Sequence, residues 1–377
     1  MPISVAVPTE QIPEERRVAL VPDILQRLTK LGAEVFIEKA AGERAYFLDA
    51  DYENCQLVDS NEEIYKQADV ILKVQAPTEA EIALMKEGAV IIGFMSPYSD
   101  LNRVVKLRDQ KVTSFSMELV PRISRAQYMD ALSSQAAVAG YKAVIRAADL
   151  ANIFFPMLTT AAGTIRPAKV VVVGVGVAGL QAIATAKRLG ANVEAYDIRP
   201  ETKEQVESLG ATFINVDIKA NADGGYAREL TAEEKQKQQN KLAQHVAAAN
   251  VVITTAAIPG RASPKIITTA MVENMKCGSV IVDIAAEGGG NCELTQPGET
   301  IVHQAVTIEA PLNIPSQIPV NSSEMYSKNL FNLLSLMIKD GELEIDWDDE
   351  ILAKSALTHA GEIKHAAIQS LVEGVSA

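Results

Sequence analysis

Apolar residues follow two alternating patterns in the first part of the chain. Short, largely apolar runs at 3–7, 70–74 and 90–94 are each followed by a stretch with apolar positions at helical spacing. Continuous apolar runs of this length are typical of parallel strands that are buried on both faces. Their alternation with helices predicts a doubly wound, mostly parallel sheet.

The predicted elements of this part follow in chain order. We expect strands at 3–7, 35–38, 70–74, 90–94 and 112–117, and helices at 22–31, 62–67, 79–86 and 101–110. No glycine fingerprint for a dinucleotide accompanies them, so no dinucleotide is assigned to this domain.

One long helical pattern introduces a second alternating series. Apolar residues at helical spacing predict a helix over 126–150 that connects two domains. Beyond it we expect strands at 170–173, 192–196, 212–216, 251–254, 280–283 and 306–308, and helices at 180–189, 201–209 and 231–249. The last helix opens with Thr231 and Glu234, the spacing of a capping box. The predicted fold class is α/β, with two doubly wound, mostly parallel-sheet (Rossmann-like) domains joined by a long helix.

The pattern changes again at a proline-rich connection near residue 311. A helix predicted at 322–338 is expected to pack back on the first domain, and the polar tail at 347–377 has no pattern that predicts an element. The domains are therefore predicted as 1–130 plus 311–377 for the first α/β domain, 131–150 for the connecting helix and 151–310 for the nucleotide-binding domain.

The turn after the strand at 170–173 is the strongest candidate for a binding site. Gly174 permits the tight turn, Gly176 lets a pyrophosphate approach the backbone, and Gly179 lets the helix pack closely. The helix N-terminus offers unpaired N–H groups to the phosphates. Asp197, which ends the next strand, can accept hydrogen bonds from ribose hydroxyls and would repel a 2′-phosphate. This order of elements predicts NAD(H) rather than NADP(H). A glycine-rich turn in another kind of α/β domain is the alternative.

Composition restricts the partners and the compartment. The net charge of −13, from 35 basic and 48 acidic side chains, argues against nucleic acid and anionic lipid as direct partners. Three widely spaced cysteines and the absence of a signal peptide fit a cytoplasmic location. The apolar window at 151–163 is too short to span a bilayer, which takes roughly 20 residues. We therefore expect no direct membrane insertion.

Groups for acid–base chemistry are sparse. All four histidines follow residue 244, and the HxxExxH spacing of His359 and His365 would put them on different faces of a helix, so no metal site is predicted. Oxidation of an alcohol or amine needs a base, whereas hydride exchange between two nicotinamides does not. Lys73, at the end of a buried strand, is either a catalytic amine or, as the more ordinary interpretation, a solvated lysine.

A second polar cluster occupies 121–135. On one continuous helix, Gln127, Asp130 and Ser134 would share a face, and Arg122 could pair with Asp130. An amide, a carboxylate and a hydroxyl suit a nicotinamide carboxamide. A capped helix start with a surface ion pair explains the same pattern equally well.

These motifs together resemble the NAD(H)-binding component of proton-translocating NAD(P) transhydrogenase. The resemblance covers nearly the whole chain and rests on 13–20 (PEERRVAL), 122–135, 174–179, the loop through 224–226, and 287–292 (EGGGNC). The run 122–135 is highly specific for this family.

The resemblance implies a homodimer that is peripheral to the cytoplasmic face of the membrane. It further implies an enzyme active with its partners: NADH is supplied to an NADP(H)-binding subunit, and hydride transfer is coupled to proton translocation through a membrane-spanning subunit. We expect these partners to be separate polypeptides.

The resemblance also implies roles for individual residues. Arg122, Gln127, Asp130 and Ser133 would surround the nicotinamide, with Gln127 reaching toward the second nucleotide; Ser133 is carried over although the helical-face argument favours Ser134. The loop 219–227 would be a mobile lid rather than an ordinary solvated loop. The predicted cofactor contacts are Gly174, Gly176, Val177, Ala178, Gly179, Asp197, Ile198, Gly225, Tyr226 and Ala256.

Two alternative functions follow from the same residues. Alanine dehydrogenase is a relative of this family, and Arg17 and Lys73 are similar to its substrate arginine and lysine. Where that enzyme has its catalytic histidine, however, this chain has Ser96-Pro97-Tyr98. A non-catalytic, NAD-responsive binding module is the other alternative.

Overall fold

The computed structural model describes residues 2–215, 232–257 and 260–375. The chain forms two compact units, of which the first comprises Met1–Gln135 with Pro315–Ala377 and the second comprises Ala136–Ile314. The two units resemble each other in architecture, because each is built around a mostly parallel sheet.

The N-terminal part of the first unit alternates strands and helices as the apolar pattern predicts. Its elements are β1 (Ser4–Val7), α1 (Pro22–Lys30), β2 (Glu34–Glu38), β3 (Gln56–Val58), α2 (Asn61–Gln67), β4 (Val70–Leu72), α3 (Glu79–Leu84), β5 (Val90–Gly93), α4 (Leu101–Asp109) and β6 (Thr113–Ser116). Only β3 is not predicted from the sequence, because its three residues are largely exposed and carry no apolar run.

The polar cluster that follows does not begin the long helix. Ser124–Met129 form a 3₁₀ turn, and α5 spans Ala131–Leu150. The expected helix start at residue 126 is therefore wrong. Asp130 accepts a hydrogen bond from the backbone N–H of Ser133 at 2.8 Å, which caps the first turn of α5.

The second unit contains a seven-stranded sheet. Its elements are β7 (Leu158–Thr160), β8 (Gly163–Ile165), β9 (Lys169–Val173), α6 (Val177–Arg188), β10 (Asn192–Tyr196), α7 (Thr202–Ser208), β11 (Thr212–Phe213), α8 (Ala232–Ala248), β12 (Val251–Thr254), α9 (Thr269–Glu273), β13 (Val280–Asp283), β14 (Thr300–His303) and β15 (Val306–Glu309). The order of the sheet is β11-β10-β9-β12-β13-β15-β14, and only β14 runs antiparallel to its neighbour. Thr231, the first residue of the expected capping box, lies outside the described residues.

The returning segment completes the first unit. It contains α10 (Pro319–Leu334), β16 (Ile338–Lys339), β17 (Glu342–Leu343), α11 (Glu350–Ser355), β18 (Ala356–His359), β19 (Glu362–Ile363) and α12 (Ala366–Val375). The first sheet has the order β19-β18-β6-β5-β4-β1-β2-β3, so the tail without a sequence pattern supplies two strands at one edge. His359 ends one of these strands and His365 follows the other, so the expected helical HxxExxH is wrong.

Helix α10 carries buried serines because its neighbours need acceptors. The N-terminal loop of the first unit runs along it without forming regular structure, so its backbone N–H groups have no partners in a sheet or helix. Three hydroxyls near or on α10 accept them: Ser316 from Arg16 at 2.7 Å, Ser323 from Val18 at 3.0 Å and Ser327 from Val21 at 3.2 Å.

Lys73 lies in a buried ionic cluster beyond the carboxyl ends of β1 and β4. Its side chain is 1% exposed, and Nζ lies 2.8 Å from Glu81 and 3.5 Å from Glu10. The interpretation as a solvated lysine is therefore wrong. Burial alone would lower the pKa of Lys73, but the two carboxylates raise it above its ordinary value, so the amine is protonated.

Arg17 and Glu15 form the other half of this cluster. The guanidinium donates from Nε and Nη2 to the Glu15 carboxylate at 2.8 and 2.7 Å, and from Nη1 to Gln135 at 2.9 Å. Burial alone would raise the pKa of Glu15, but the Arg17 guanidinium holds it at about 2. The pair is therefore ionised across the physiological range.

We predict that Glu15→Gln lowers the free energy of unfolding at pH 7 by roughly 3 kcal/mol, because it leaves the buried Arg17 charge unpaired. The pKa of Glu15 is depressed in the folded state, so its stabilisation is complete above its ordinary pKa of 4.5 and is lost as the pH falls toward 2. Denaturant unfolding between pH 7 and pH 3 should show the difference from wild type shrinking. The exposed neighbour Glu14, replaced by Gln, is the control, and an equal loss there would contradict the prediction.

Candidate functional site

Two glycines of the turn after β9 are required by packing. Gly174 has a φ of +93°, and a Cβ there would lie 2.7 Å from the Thr255 hydroxyl oxygen. A Cβ at Gly179 would overlap the carbonyl oxygen of Gly174. Because no side chain separates them, α6 begins directly over the end of β9.

Gly176 meets a different requirement. Its φ of −83° is open to any residue, and a Cβ there would meet no atom within 4 Å. The space beside it is therefore open, as close approach of a ligand to the backbone demands. Val177 and Ala178 follow in the first turn of α6, whose leading N–H groups have no acceptor within the helix. The open space and these donors together fit a pyrophosphate.

The carboxylate of Asp197 is tied to the same turn. It is 6% exposed and accepts the backbone N–H of Val175 at 2.7 Å. It also accepts three hydrogen bonds from Arg199. Burial alone would raise the pKa of Asp197, but the bonds to Arg199 and Val175 lower it, so the group is ionised. Ile198 beside it is 75% exposed and leaves an apolar face open.

Ala256 is held in place by a residue that the residue-level reasoning missed. The buried Asn291 amide accepts from the Ala256 N–H at 2.9 Å and donates to its carbonyl at 2.7 Å. A second donation, to Pro264 at 2.9 Å, completes its bonds. The signal was present in the EGGGNC run, which carries a polar residue among glycines.

Gly140 in α5 was also missed. A Cβ there would overlap the carbonyl oxygen of Ala178, so α5 and the first turn of α6 approach too closely for any side chain. A single glycine inside a long helical pattern is the signal that could have identified it.

The described cofactor contacts of the second unit lie at the carboxyl ends of adjacent strands. Gly174 to Gly179 follow β9, Asp197 and Ile198 follow β10, and Ala256 follows β12, and both β10 and β12 pair with β9. Ligands of doubly wound sheets bind at this edge. Gly225 and Tyr226 lie outside the described residues, so the lid remains an expectation.

The polar cluster of the first unit has a different geometry from the one expected. Asp130 accepts from the Ser133 hydroxyl at 2.6 Å, whereas Ser134 donates to Asn329 at 2.8 Å. The shared face with Ser134 is therefore wrong, because the helix begins at Ala131. Arg122 and Gln127 are exposed, and within the described residues no ion pair joins Arg122 to Asp130.

The segment that carries Gln127 is held at two points. Arg125 forms a bidentate pair with Asp349, with both distances at 2.7 Å. Asn329 and Asn332 of α10 both donate to the carbonyl of Tyr128, at 2.8 and 3.0 Å. The Gln127 side chain therefore projects from a fixed turn rather than from a helix.

Neither a metal cluster nor a membrane-spanning helix is found among the described residues. Within residues 2–215, 232–257 and 260–375, no group of three or more His, Cys, Asp or Glu side chains could hold a metal ion. No helix in the described part of the chain has the length and apolar character needed to cross a membrane.

Two family models match the chain. "Alanine dehydrogenase/PNT, N-terminal domain" matches residues 6–139, and "Alanine dehydrogenase/PNT, C-terminal domain" matches residues 143–366. The chain belongs to the alanine dehydrogenase/PNT family.

Individual members of the family divide by similarity. The chain is 45% identical to a Rhodospirillum rubrum protein named as the first segment of NAD(P) transhydrogenase subunit alpha, over 97% of this chain and 99% of that protein. It is 43% identical to the Rickettsia prowazekii protein of the same name, over 97% of each. Alanine dehydrogenase of Mycolicibacterium smegmatis is 27% identical, over 97% of this chain and 95% of that protein.

Solved structures of family members confirm the predicted fold class. The transhydrogenase structure from Sinorhizobium meliloti superposes with a TM-score of 0.88 at 43% identity, covering 96% of this chain and 99% of that one. An L-alanine dehydrogenase structure superposes with a TM-score of 0.81 at 26% identity, covering all of both chains. The similarity is therefore greater to the transhydrogenase members.

The two glycines that differ in surroundings give a matched pair of variants. We predict that Gly179→Ala lowers the free energy of unfolding by about 2 kcal/mol or more, because the added methyl collides with the Gly174 carbonyl. Gly176→Ala should change it by less than about 0.5 kcal/mol but weaken NADH binding about tenfold, since the methyl enters the open space. Chemical denaturation and fluorescence titration with NADH test both. Equal destabilisation by the two variants would contradict the assignment.

Proposed function

We propose that this chain is the NAD(H)-binding component of a proton-translocating transhydrogenase. The observation that carries the proposal is its full-length similarity to transhydrogenase alpha subunits, joined to a dinucleotide turn that ends on Asp197. The chain would bind NADH and pass its hydride to NADP⁺ held by a partner subunit.

The described residues of the second unit have the chemistry that NADH binding requires. The leading N–H groups of α6 would bind the pyrophosphate over Gly176, where the structure leaves open space. Asp197, ionised at neutral pH, would accept hydrogen bonds from the ribose hydroxyls. Ile198 and Ala256 would contact the adenosine half, and Asn291 would keep the Ala256 backbone in position.

At the nicotinamide end, Arg122, Asp130 and Ser133 would orient the ring. The fixed turn that carries Gln127 would direct its amide toward the second nucleotide. NADH supplies a hydride at C4 of its nicotinamide ring, so the chain itself needs to orient the ring and exclude water rather than move a proton. No histidine lies in 122–135 or 174–198, which fits such a reaction.

Partner subunits complete the proposed enzyme. One would bind NADP(H), and one would span the membrane and couple hydride transfer to proton translocation. This chain would then be peripheral, on the cytoplasmic face of the membrane. The Tyr226 lid over bound nucleotide remains part of the proposal.

The alanine dehydrogenase alternative is not favoured by the buried ionic cluster. Arg17 is paired with Glu15, and Lys73 with Glu81, so the chain's own carboxylates already neutralise both cations. A substrate carboxylate would have to displace these buried partners.

Reconstitution tests the function. The pure chain, mixed with an NADP(H)-binding partner subunit, should stimulate reduction of an NAD⁺ analogue by NADPH. We predict that Gln127→Asn leaves NADH affinity within a few-fold but slows transfer by about tenfold or more, because the shorter amide no longer places the two rings at roughly 3.5 Å. Stopped-flow absorbance and NADH titration separate the two quantities.

The controls of this experiment distinguish the alternatives. Asn102→Asp, a substitution of another exposed amide of the first unit, should leave both quantities unchanged. Alanine-dependent NADH production by the isolated chain would favour an amino-acid dehydrogenase. NADH binding without transfer in any reconstitution would favour a non-catalytic module. A large loss of NADH binding with unchanged turnover in Gln127→Asn would contradict the role given to this residue.

The proposed homodimer has a candidate surface in the second unit. Strands β7 and β8 form a separate two-stranded sheet, and all six of their residues are exposed. Met157, Leu158 and Ile165 are exposed apolar residues at this hairpin. Because an isolated hairpin is marginally stable in water, we infer that a second copy of the chain covers it.

A charge on the hairpin tests this surface. We predict that Met157→Asp together with Ile165→Asp shifts the chain from dimer to monomer in sedimentation velocity, because two carboxylates would have to be buried. Val302→Asp, at an equally exposed apolar residue on the edge strand β14, should leave the dimer intact. Dissociation by the control, or none by the double variant, would contradict the assignment.

A further inference from the structure

Arg199 contacts the candidate ribose acid in a way that the glycine fingerprint does not require. Its Nε donates to one oxygen of Asp197 at 3.0 Å and its Nη2 to the other at 3.0 Å. Nη2 also donates to the carbonyl of Val175 at 3.3 Å. The guanidinium is thus bound side-on to the carboxylate and anchored to the glycine turn.

This arrangement neutralises a group that is suited to bind phosphate. A guanidinium presents a planar fork of donors that matches carboxylate and phosphate oxygens alike. The Arg199 side chain is 51% exposed, so it lies at the surface where an adenosine ribose would rest against Asp197. The 2′-phosphate, which alone distinguishes NADP(H) from NAD(H), would be attached to that ribose.

We propose that Arg199 is a second specificity-determining residue of the nucleotide site, a 2′-phosphate ligand that Asp197 masks. The inference rests on the proposed binding of NADH at this turn. With the carboxylate present, the cation is neutralised and a phosphate carrying about two negative charges is repelled. Without the carboxylate, the fork of Arg199 is released beside the position of the phosphate. Rejection of NADPH therefore depends on Asp197 alone.

A double-mutant cycle on the full chain tests the proposal. Dissociation constants for NADH and NADPH are measured by nucleotide fluorescence for the wild type, Asp197→Asn, Arg199→Met and the double variant. Asp197→Asn should weaken NADH binding and tighten NADPH binding, each by about tenfold. The double variant should lose the gain for NADPH, whereas Arg199→Met alone should bind NADPH as weakly as the wild type because Asp197 still repels the phosphate.

A matched control removes the same charge elsewhere. Arg188 is exposed in the last turn of α6, the opposite end of the helix from the glycine turn. Asp197→Asn combined with Arg188→Met should keep the gain in NADPH affinity. Asp197→Asn retains an oxygen for the Val175 N–H, and Asp197→Ser, measured alongside, gives a second background if the first does not fold.

The outcomes separate this inference from the proposed function. If Asp197→Asn weakens NADH binding but NADPH affinity does not rise, or rises equally with Met at position 199, the role of Arg199 is overturned and the NADH site stands. If Asp197→Asn leaves NADH affinity unchanged, the ribose assignment fails, and the masking proposal fails with it.

Discussion

The contact between Gly179 and the carbonyl of Gly174 governs the second unit. Because a side chain at Gly179 would overlap that oxygen, only glycine allows α6 to begin directly over the end of β9. This approach brings the leading N–H groups of the helix to the edge of the sheet, and it leaves the Val175 N–H within reach of Asp197. A single steric constraint thus sets the distance between the phosphate-binding end of the helix and the ribose acid.

The two units treat the same part of their folds in opposite ways. Ligands of a doubly wound sheet bind beyond the carboxyl ends of strands where the strand order reverses. In the second unit this region is open over Gly176, and helix N–H groups are available. In the first unit the reversal lies between β1 and β4, and Lys73 with Glu10 and Glu81 fills the space beyond these strands. The first unit therefore offers no comparable opening for a phosphate among its described residues, in agreement with its lack of a glycine fingerprint.

The sequence-based errors have a common cause. Periodicity reports which side chains face a core, but it does not distinguish a 3₁₀ turn followed by a helix from one continuous helix. For this reason Ser134 replaced Ser133 in the residue-level reasoning, and only the cap at Asp130 reveals the break. The solvated interpretation of Lys73 failed for a related reason, since its carboxylate partners are distant in sequence. Asn291 and Arg199 escaped notice because their partners are backbone atoms and a neighbouring acid.

By itself, the sequence determined the parallel sheets, the glycine turn and the acid that follows it, because apolar runs and short-range glycine spacing encode strand burial and backbone geometry locally. It also carried the resemblance to the transhydrogenase family in contiguous motifs. Only the tertiary structure decided that β18 and β19 complete the first sheet, that Lys73 and Arg17 are neutralised, and that Arg199 is bound to Asp197. These features depend on the distances between charged and polar groups in the folded chain, and hydrophobic periodicity carries no information about such distances.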